Sequence, residues 1–447
     1  MQRYFLRYAY SGTAFTGSQK QLPRVPLSEQ DAWYQWQDRN TVQGAIEQGL
    51  NYTLRPVYAA NLITSSRTDT GVSATAATAA LDLVHRHVDR GIYFDPRAIT
   101  HSLNHYLESA ELPIRILKTL AVRGSFYVQK VKSRRYVYRF LVENGKHPDI
   151  LSEFSHSWSP RDSAKILIHG TSTGTSKRPR TTPIVAAWAK SLGFVEIRPP
   201  FDVDRFQSAL SLFKGTHNFG SFTTGLALKN LFKTKGQDGV LAYIVRDVDD
   251  IQVHRMPMDA VEDLMPVAKC FDFYHVHINS TGFLHNQVRR MLGAAFRVAG
   301  HGIELSNIQQ MLDEPSPGNF VNCKPMQAEG LHLTEINYDP DDLIGATDRF
   351  QDLPLSSPVG TPKVLQPIDW SSVSLLPPDR QQAQDIVNSE TLAKERFREG
   401  RSNELLDQAS GAKIGLESCQ DQSEDGEWNS VGGGVSEGHR GDVQTSG

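Results

Sequence analysis

The sequence predicts an α+β protein built on a central sheet, and three observations carry that prediction. Apolar residues alternate with period two in several runs, as at residues 3–10. Other stretches space them three and four apart, as at 41–54, where Val42, Ile46 and Leu50 fall on one helical face. The two kinds of segment follow one another irregularly, which suggests a sheet with helices packed on one side.

Taken in order, residues 3–10 form a strand, and Asn40 with Gln43 forms a capping pair that opens the helix at 41–54. A strand at 74–84, a helix at 96–106 and a strand at 115–122 follow. The second group repeats the style, with a strand at 135–142, a helix at 203–213, strands at 242–248 and 271–278, a helix from Phe283, and the strand-like GLHLTEINYD at 330–339. Two α+β halves, 1–115 and 116–339, then flank one cleft. Residues 159–183 are small, polar and basic without a sustained period, and read as a surface insertion. After Asp339 the chain turns rich in Pro, Ser, Gly, Gln, Asp and Glu, so 340–447 reads as an acidic, mostly disordered tail with one short helix around 381–408.

Composition narrows the function classes. With 447 residues the chain has room for two ordinary domains, or for one composite domain and a tail. At 39% hydrophobic and 22% charged residues it reads as a soluble globular protein. No apolar run approaches the roughly 18 to 20 residues of a membrane helix, so no membrane partner is expected. The first residues carry neither a secretory core nor a presequence, which points to an intracellular protein without fixing its compartment. Cys270, Cys323 and Cys419 lie far apart, which argues against a disulfide scaffold and a cysteine-based zinc site. From Asp339 onward about 20 acidic residues face 9 basic ones, so the net charge of −3 leaves about +8 on residues 1–338. A basic body of this kind suits phosphate-backbone binding, and also occurs on proteins that never touch nucleic acid.

Four stretches can carry chemistry. In SSRTDTGVSA, residues 65–74, Gly71 permits a tight turn, and Arg67 two positions from Asp69 would keep a reactive carboxylate ionised; an ordinary Asp-x-Gly turn accounts for the same residues. In KVKSRRYVYRF, residues 130–140, period two puts Tyr136, Tyr138 and Phe140 on one face and Arg135 and Arg139 on the other. That pattern offers base stacking with phosphate attraction, or a half-buried strand with core aromatics and solvated arginines. In the amphipathic run 282–300, Leu284, Val288, Leu292 and Ala295 form the buried stripe, while His285, Arg289 and Gly293 line up on a neighbouring face. Arg289 then points into a cleft or into water. His217, in GTHNFGSF, is a base or, more simply, a local turn partner.

Taken together, the motifs resemble the TruA-type tRNA pseudouridine synthases, close to their eukaryotic pseudouridylate synthase-like branch. In order they are YSGTAFTGSQKQ, TVQGAIEQGL, SRTDTGV, SLNHYL with LPIRIL, SFYVQKVKSRRYVYRF, KGTHNFGSF, GFLHNQVRRMLG and EGLHLTEINY, from about Tyr4 to Tyr338. The resemblance implies the pseudouridine synthase fold, two α+β halves around a mixed, mainly antiparallel sheet with a central catalytic cleft. It implies Asp69 as the catalytic aspartate, Tyr136 as the aromatic against the target base, and Arg289 as the cation paired with the carboxylate. Arg67, Arg135 and Arg139 are then expected on the substrate. Three positions depart from the family's pattern: Ser18 stands where tryptophan often follows the glycine, Thr70 where alanine is usual, and Ser73 where histidine is usual.

The implied reaction isomerises uridine to pseudouridine in RNA, most simply tRNA. Uracil leaves its ribose through N1, rotates and rejoins through C5 with no redox change, so no cofactor and no metal are expected. Asp69 acts on the ribosyl carbon or abstracts a sugar proton to give a glycal, and the sequence leaves both routes open. The resemblance also implies a homodimer that binds tRNA or another structured RNA. A catalytically silent RNA-binding protein of the same fold is the alternative, and a scaffold acting through its acidic tail is a further one.

Overall fold

Alternation between apolar and polar residues becomes pairing. The computed structural model describes residues 1–20, 38–157, 183–224, 240, 242–257, 266–315 and 324–348, all within the unit Met1–Leu375. The strands are β1 (Gln2–Tyr10), β2 (Ile63–Thr64), β3 (Ser73–Leu83), β4 (Ile114–Val122), β5 (Ser133–Glu143), β6 (Val195–Ile197), β7 (Gly215–Asn218), β8 (Val245–Met256), β9 (Phe271–Ser280) and β10 (Leu331–Asn337). They join in one mixed sheet in the order β4-β1-β3-β10-β5-β9-β8-β7, with β2 on β3 and β6 on β5. Only β10 on β3 and β6 on β5 pair in parallel; the other pairings are antiparallel. The architecture is α+β, as the sequence predicts. β4 pairs with β1, so the N-terminal strands run through Val122, beyond residue 115.

The helices are α1 (Val42–Leu54), α2 (Pro96–Ser109), α3 (Pro148–Ser157), α4 (Pro183–Ser191), α5 (Val203–Ser211), α6 (Gln287–Ala299) and α7 (Leu305–Asp313). The large core lies under α1, α2, α5, α6 and α7, where Leu6, Ile46, Leu103, Phe140, Phe206 and Leu292 are fully buried. Helices do not keep to one side as expected. Leu141, Phe271 and Phe273 point to the other face, where Val185 and Trp188 of α4 and partly buried Leu151 and Phe154 of α3 pack on them.

Local chemistry sets several boundaries differently from the sequence reading. α1 is capped by Thr41, whose hydroxyl accepts from the Gly44 N–H at 3.2 Å. Asn40 and Gln43 do not form the cap, because Gln43 turns inward and donates to Glu47 and to the Leu62 carbonyl. The expected strand at 242–248 begins only at Val245, because residues 242–244 take helical geometry, and continues to Met256. Of the expected insertion only Pro183 is described, as the first residue of α4; the expected tail helix at 381–408 lies outside the described residues. The folded body continues past Asp339 to Asp348. Leu343 and Ala346 pack against Phe5, Phe126 and Val128, and Thr347 exchanges backbone hydrogen bonds with Ala121 of β4 at 2.8 and 3.0 Å.

The face opposite the large core carries a histidine row. Arg139 on β5 is opposite His275 on β9, and the His254 and His277 rings stand 5.1 Å apart. His332 on β10 is 7% exposed and donates from Nε2 to the Gly193 carbonyl at 3.1 Å. Burial first, and then the charge of Arg139, push His332 and His275 down to about 4.

Two outcomes are expected. A chain ending at Asp348 keeps the thermal stability of the full chain, whereas one ending at Asp339 loses about 1–3 kcal/mol from the uncovered Phe5 cluster and the broken Thr347 bridge; melting curves of the two check this. The second concerns acid. The folded pKa of His332 and His275 lies below the unfolded value, so their contribution is full above about pH 6.5 and declines as pH falls toward 4. His332→Gln, which keeps a donor for Gly193, makes the decline of Tm over that window shallower.

Candidate active site

Asp69 sits in the loop between β2 and β3, and its neighbours hold that loop by hydrogen bonds rather than by packing alone. The Val72 N–H donates to the Asp69 carbonyl at 3.1 Å, closing a turn. Gly71 takes φ +85°, in the region that favours glycine. A second loop, residues 11–18, clasps the first. Ser18 Oγ accepts from the Thr68 N–H at 2.8 Å, Thr70 Oγ1 donates to the Thr16 carbonyl at 2.7 Å, and Ser73 Oγ accepts from the Gly12 N–H at 3.0 Å. Tyr10 Oη and Thr68 Oγ1 add a bond at 2.7 Å. Ser18, Thr70 and Ser73 are the positions that the resemblance marks as departures from the family's pattern, and each one bonds one loop to the other.

The carboxylate faces an arginine and a histidine. Arg289, on the first turn of α6, has Nη1 3.3 Å from Oδ2, and His285 has Nε2 3.4 Å from Oδ1. Burial alone would raise the Asp69 carboxyl, but His285 and Arg289 outweigh it and hold the group below its ordinary value. Asp69 is therefore ionised at neutral pH. Arg289 is itself aimed: Nε donates to the Met326 carbonyl at 2.6 Å and Nη1 to Asn286 Oδ1 at 2.9 Å. The segment at Met326 can lie this close because Gly293, one turn along α6, has no side chain. A Cβ there would stand 2.1 Å from the Lys324 carbonyl oxygen.

Around the carboxylate opens a cleft of about 960 Å³, lined by Tyr136, Arg134, Phe283 and Arg67 among others. Tyr136 on β5 is 7% exposed and meets Phe283 edge-on at 5.4 Å. Burial lifts its hydroxyl to about 12, with Arg134 opposing and Asp69 adding to the shift, so it stays protonated. Arg134 ties the walls together, donating to Ser66 Oγ at 2.6 Å, to the Ser65 carbonyl at 2.8 Å and to the Thr281 carbonyl.

Of the residues singled out from the sequence, Asp69, Arg289 and Tyr136 come together. Arg67 is exposed on the cleft wall; the groups against Asp69 are Arg289 and His285. Arg135 and Arg139 lie on the opposite face of the sheet, because period two separates them from Tyr136. Arg135 is bound there to Asn279 at 3.0 Å and to Glu335 at 2.9 Å. Tyr138 and Phe140 are core. His217 bonds the Lys214 carbonyl at 2.8 Å, a local turn contact. Sequence reasoning missed His285 as a partner of the carboxylate. It aligned His285 with Arg289 on a helix from Phe283, but α6 begins at Gln287 after Asn286 in a left-handed conformation, φ 62°. His285 reaches Asp69 from that turn, and the HN pair ahead of the apolar stripe was the available signal.

Known proteins resemble this chain in sequence. Residues 209–339 match the family model of tRNA pseudouridine synthase, a range that holds Arg289 but not Asp69 or Tyr136. Similarity to individual proteins runs further. The chain is 23% identical over 343 residues to tRNA pseudouridine synthase A of Dinoroseobacter shibae, covering 76% of this chain and 98% of that protein. It is 23% identical over 347 residues to tRNA pseudouridine synthase-like 1 of Xenopus laevis, covering 77% and 93%, and 24% identical over 345 residues to tRNA pseudouridine synthase A of Cereibacter sphaeroides, covering 76% and 99%. The chain thus resembles the TruA-type tRNA pseudouridine synthases, as the order of its motifs implies, and its mixed, mainly antiparallel sheet with helices is the α+β architecture expected from that resemblance.

Gly293→Ala should displace residues 324–326 and with them the Met326 carbonyl that orients Arg289. The expected cost is about 1–3 kcal/mol in thermal denaturation, together with a rise in the Asp69 pKa read by NMR. An unchanged pKa would show that Arg289 does not depend on this contact.

Proposed function

We propose that this protein is a tRNA pseudouridine synthase, an isomerase in which Asp69 is the reacting carboxylate and no cofactor takes part. One observation carries the reading: an ionised carboxylate, held between Arg289 and His285, faces a cleft whose wall is a buried tyrosine. Both routes from uridine to pseudouridine need that charge. In one, Asp69 displaces uracil from C1′ to form an ester, and C5 of the turned uracil displaces the carboxylate again; in the other it takes the C2′ proton as the N1–C1′ bond breaks and returns it as C5 bonds to C1′. The C5 proton then leaves and N1 takes up a proton, which restores the ring. Oxidation state and composition are unchanged. Arg289 keeps Asp69 charged and oriented, and Tyr136 with Phe283 offers an apolar wall to an extruded base, offsetting part of its unstacking.

The basic body supports RNA as the substrate, and the relatives named tRNA pseudouridine synthase support tRNA among RNAs. A homodimer spreads the contacts over two subunits and selects a rigid, folded RNA.

Asp69→Asn and Asp69→Ala are expected to abolish pseudouridine formation, read by nucleoside mass spectrometry on tRNA, while RNA affinity stays within a few-fold. Tyr136→Phe keeps most binding, whereas Tyr136→Ala loses the stacking contribution, about 1–3 kcal/mol. Turnover by Asp69→Ala at the wild-type rate excludes the carboxylate. Tight binding of tRNA by wild-type protein without any pseudouridine marks a silent RNA-binding protein instead.

A further inference from the structure

A second cleft, of about 930 Å³, opens on the other side of the Asp69 loop; Thr70 lines both clefts. The charged and titratable groups on its walls are Arg115, Arg139, Lys190, Glu108, Glu329 and His332. Lys190 and Glu329 neutralise each other at 2.7 Å. Arg139 has no such partner among the described residues. Its Nε–H is buried and donates to no partner among them, and no carboxylate opposes the effect of burial on its guanidinium. Its titratable neighbours are His275 and His277 of β9, His254 of β8 and His332 of β10. The first-named pair and His332 are all pushed down by burial and by the charge of Arg139. Arg115, on β4 at the sheet edge, is exposed on the facing wall.

We propose that this second cleft holds the phosphate backbone of the substrate RNA, with Arg139 and Arg115, four strands apart in the sheet, each binding a separate phosphate. A half-buried guanidinium without a counter-ion is stabilised by an anion with two oxygens in one plane, the geometry that arginine matches. The strand that carries the target uridine passes over the 69–72 turn, so the nucleotide enters the first cleft while flanking phosphates are held in the second. The site therefore sits on the face where Arg139 was expected on the substrate, but away from the carboxylate. The proposal rests on the reading of the protein as an RNA-modifying enzyme.

The test uses the full chain and measures the affinity of R139Q and R115Q for a tRNA transcript across a salt series. Each substitution is expected to raise Kd about 3- to 10-fold and to lower the slope of log K against log salt by about 0.7–0.9, one phosphate's worth. Should R139Q fail to fold, exposed Arg115 carries the test alone. Unchanged Kd and slope in both variants overturn the site. Inorganic phosphate in the millimolar range that raises Tm of wild type but not of R139Q, with the RNA slope unchanged, assigns the cleft to a free anion and also overturns it. Wild-type pseudouridine formation separates the two readings. Its absence alongside a reduced slope removes the enzyme reading and leaves the RNA site, whereas its presence with an unchanged slope removes only the site.

Discussion

The site depends on where β10 inserts. This strand comes from the end of the folded body, yet it lies between β3 and β5 and joins the two halves of the sheet. Its hold on β3 is short: His332 opposite Ser73 and Leu333 opposite Ala74. On the other side Leu333 stands opposite Tyr136. One fully buried residue thus sets the span between the end of the Asp69 loop and the tyrosine wall at two strand spacings, about 9–10 Å. The chain just before β10 supplies the Met326 carbonyl that orients Arg289. All three central groups are therefore registered to one segment near the end of the folded body.

The fold was legible where period decides. The strands at Gln2–Tyr10, Ile114–Val122, Ser133–Glu143 and Phe271–Ser280 lie within a few residues of the runs read from alternation. Long amphipathic helices were equally clear. Illegible parts share a cause, namely partners distant in sequence. α3 and α4 are short, and their apolar faces make sense only once Leu141, Phe271 and Phe273 point away from the main core. Leu343 and Ala346 look like tail residues until β4 and Phe5 offer them a surface.

At the site, residue types were readable and contacts were not. Asp69, Tyr136 and Arg289 followed from motif resemblance, and the structure gathers them in one cleft. The cation that local spacing offered, Arg67, is not the one used, because the loop turns Arg67 outward while Arg289 arrives from 220 positions away in the chain. His285 shows the complementary failure. Helical periodicity put it beside Arg289, and a left-handed Asn286 brings it to the carboxylate by another path.

Ser18, Thr70 and Ser73, the positions at which the resemblance marks departures from the family's pattern, place short hydroxyl side chains around the Asp69 loop. A hydroxyl stabilises a loop when it meets a backbone N–H or carbonyl that would otherwise be left unsatisfied. Each of the three does so across the same junction, between the 11–18 loop and the Asp69 loop. Bonds of this kind add directionality, so a loop fixed by several of them has fewer alternative conformations than one held by apolar contact of similar area. Asp69 sits between Thr68, bonded through Ser18 and Tyr10, and Thr70, bonded through Thr16, so the backbone on both sides of the carboxylate is pinned. Fixing the loop from both flanks leaves the side chain free of structural duty, and its two oxygens remain available to Arg289, His285 and whatever enters the cleft.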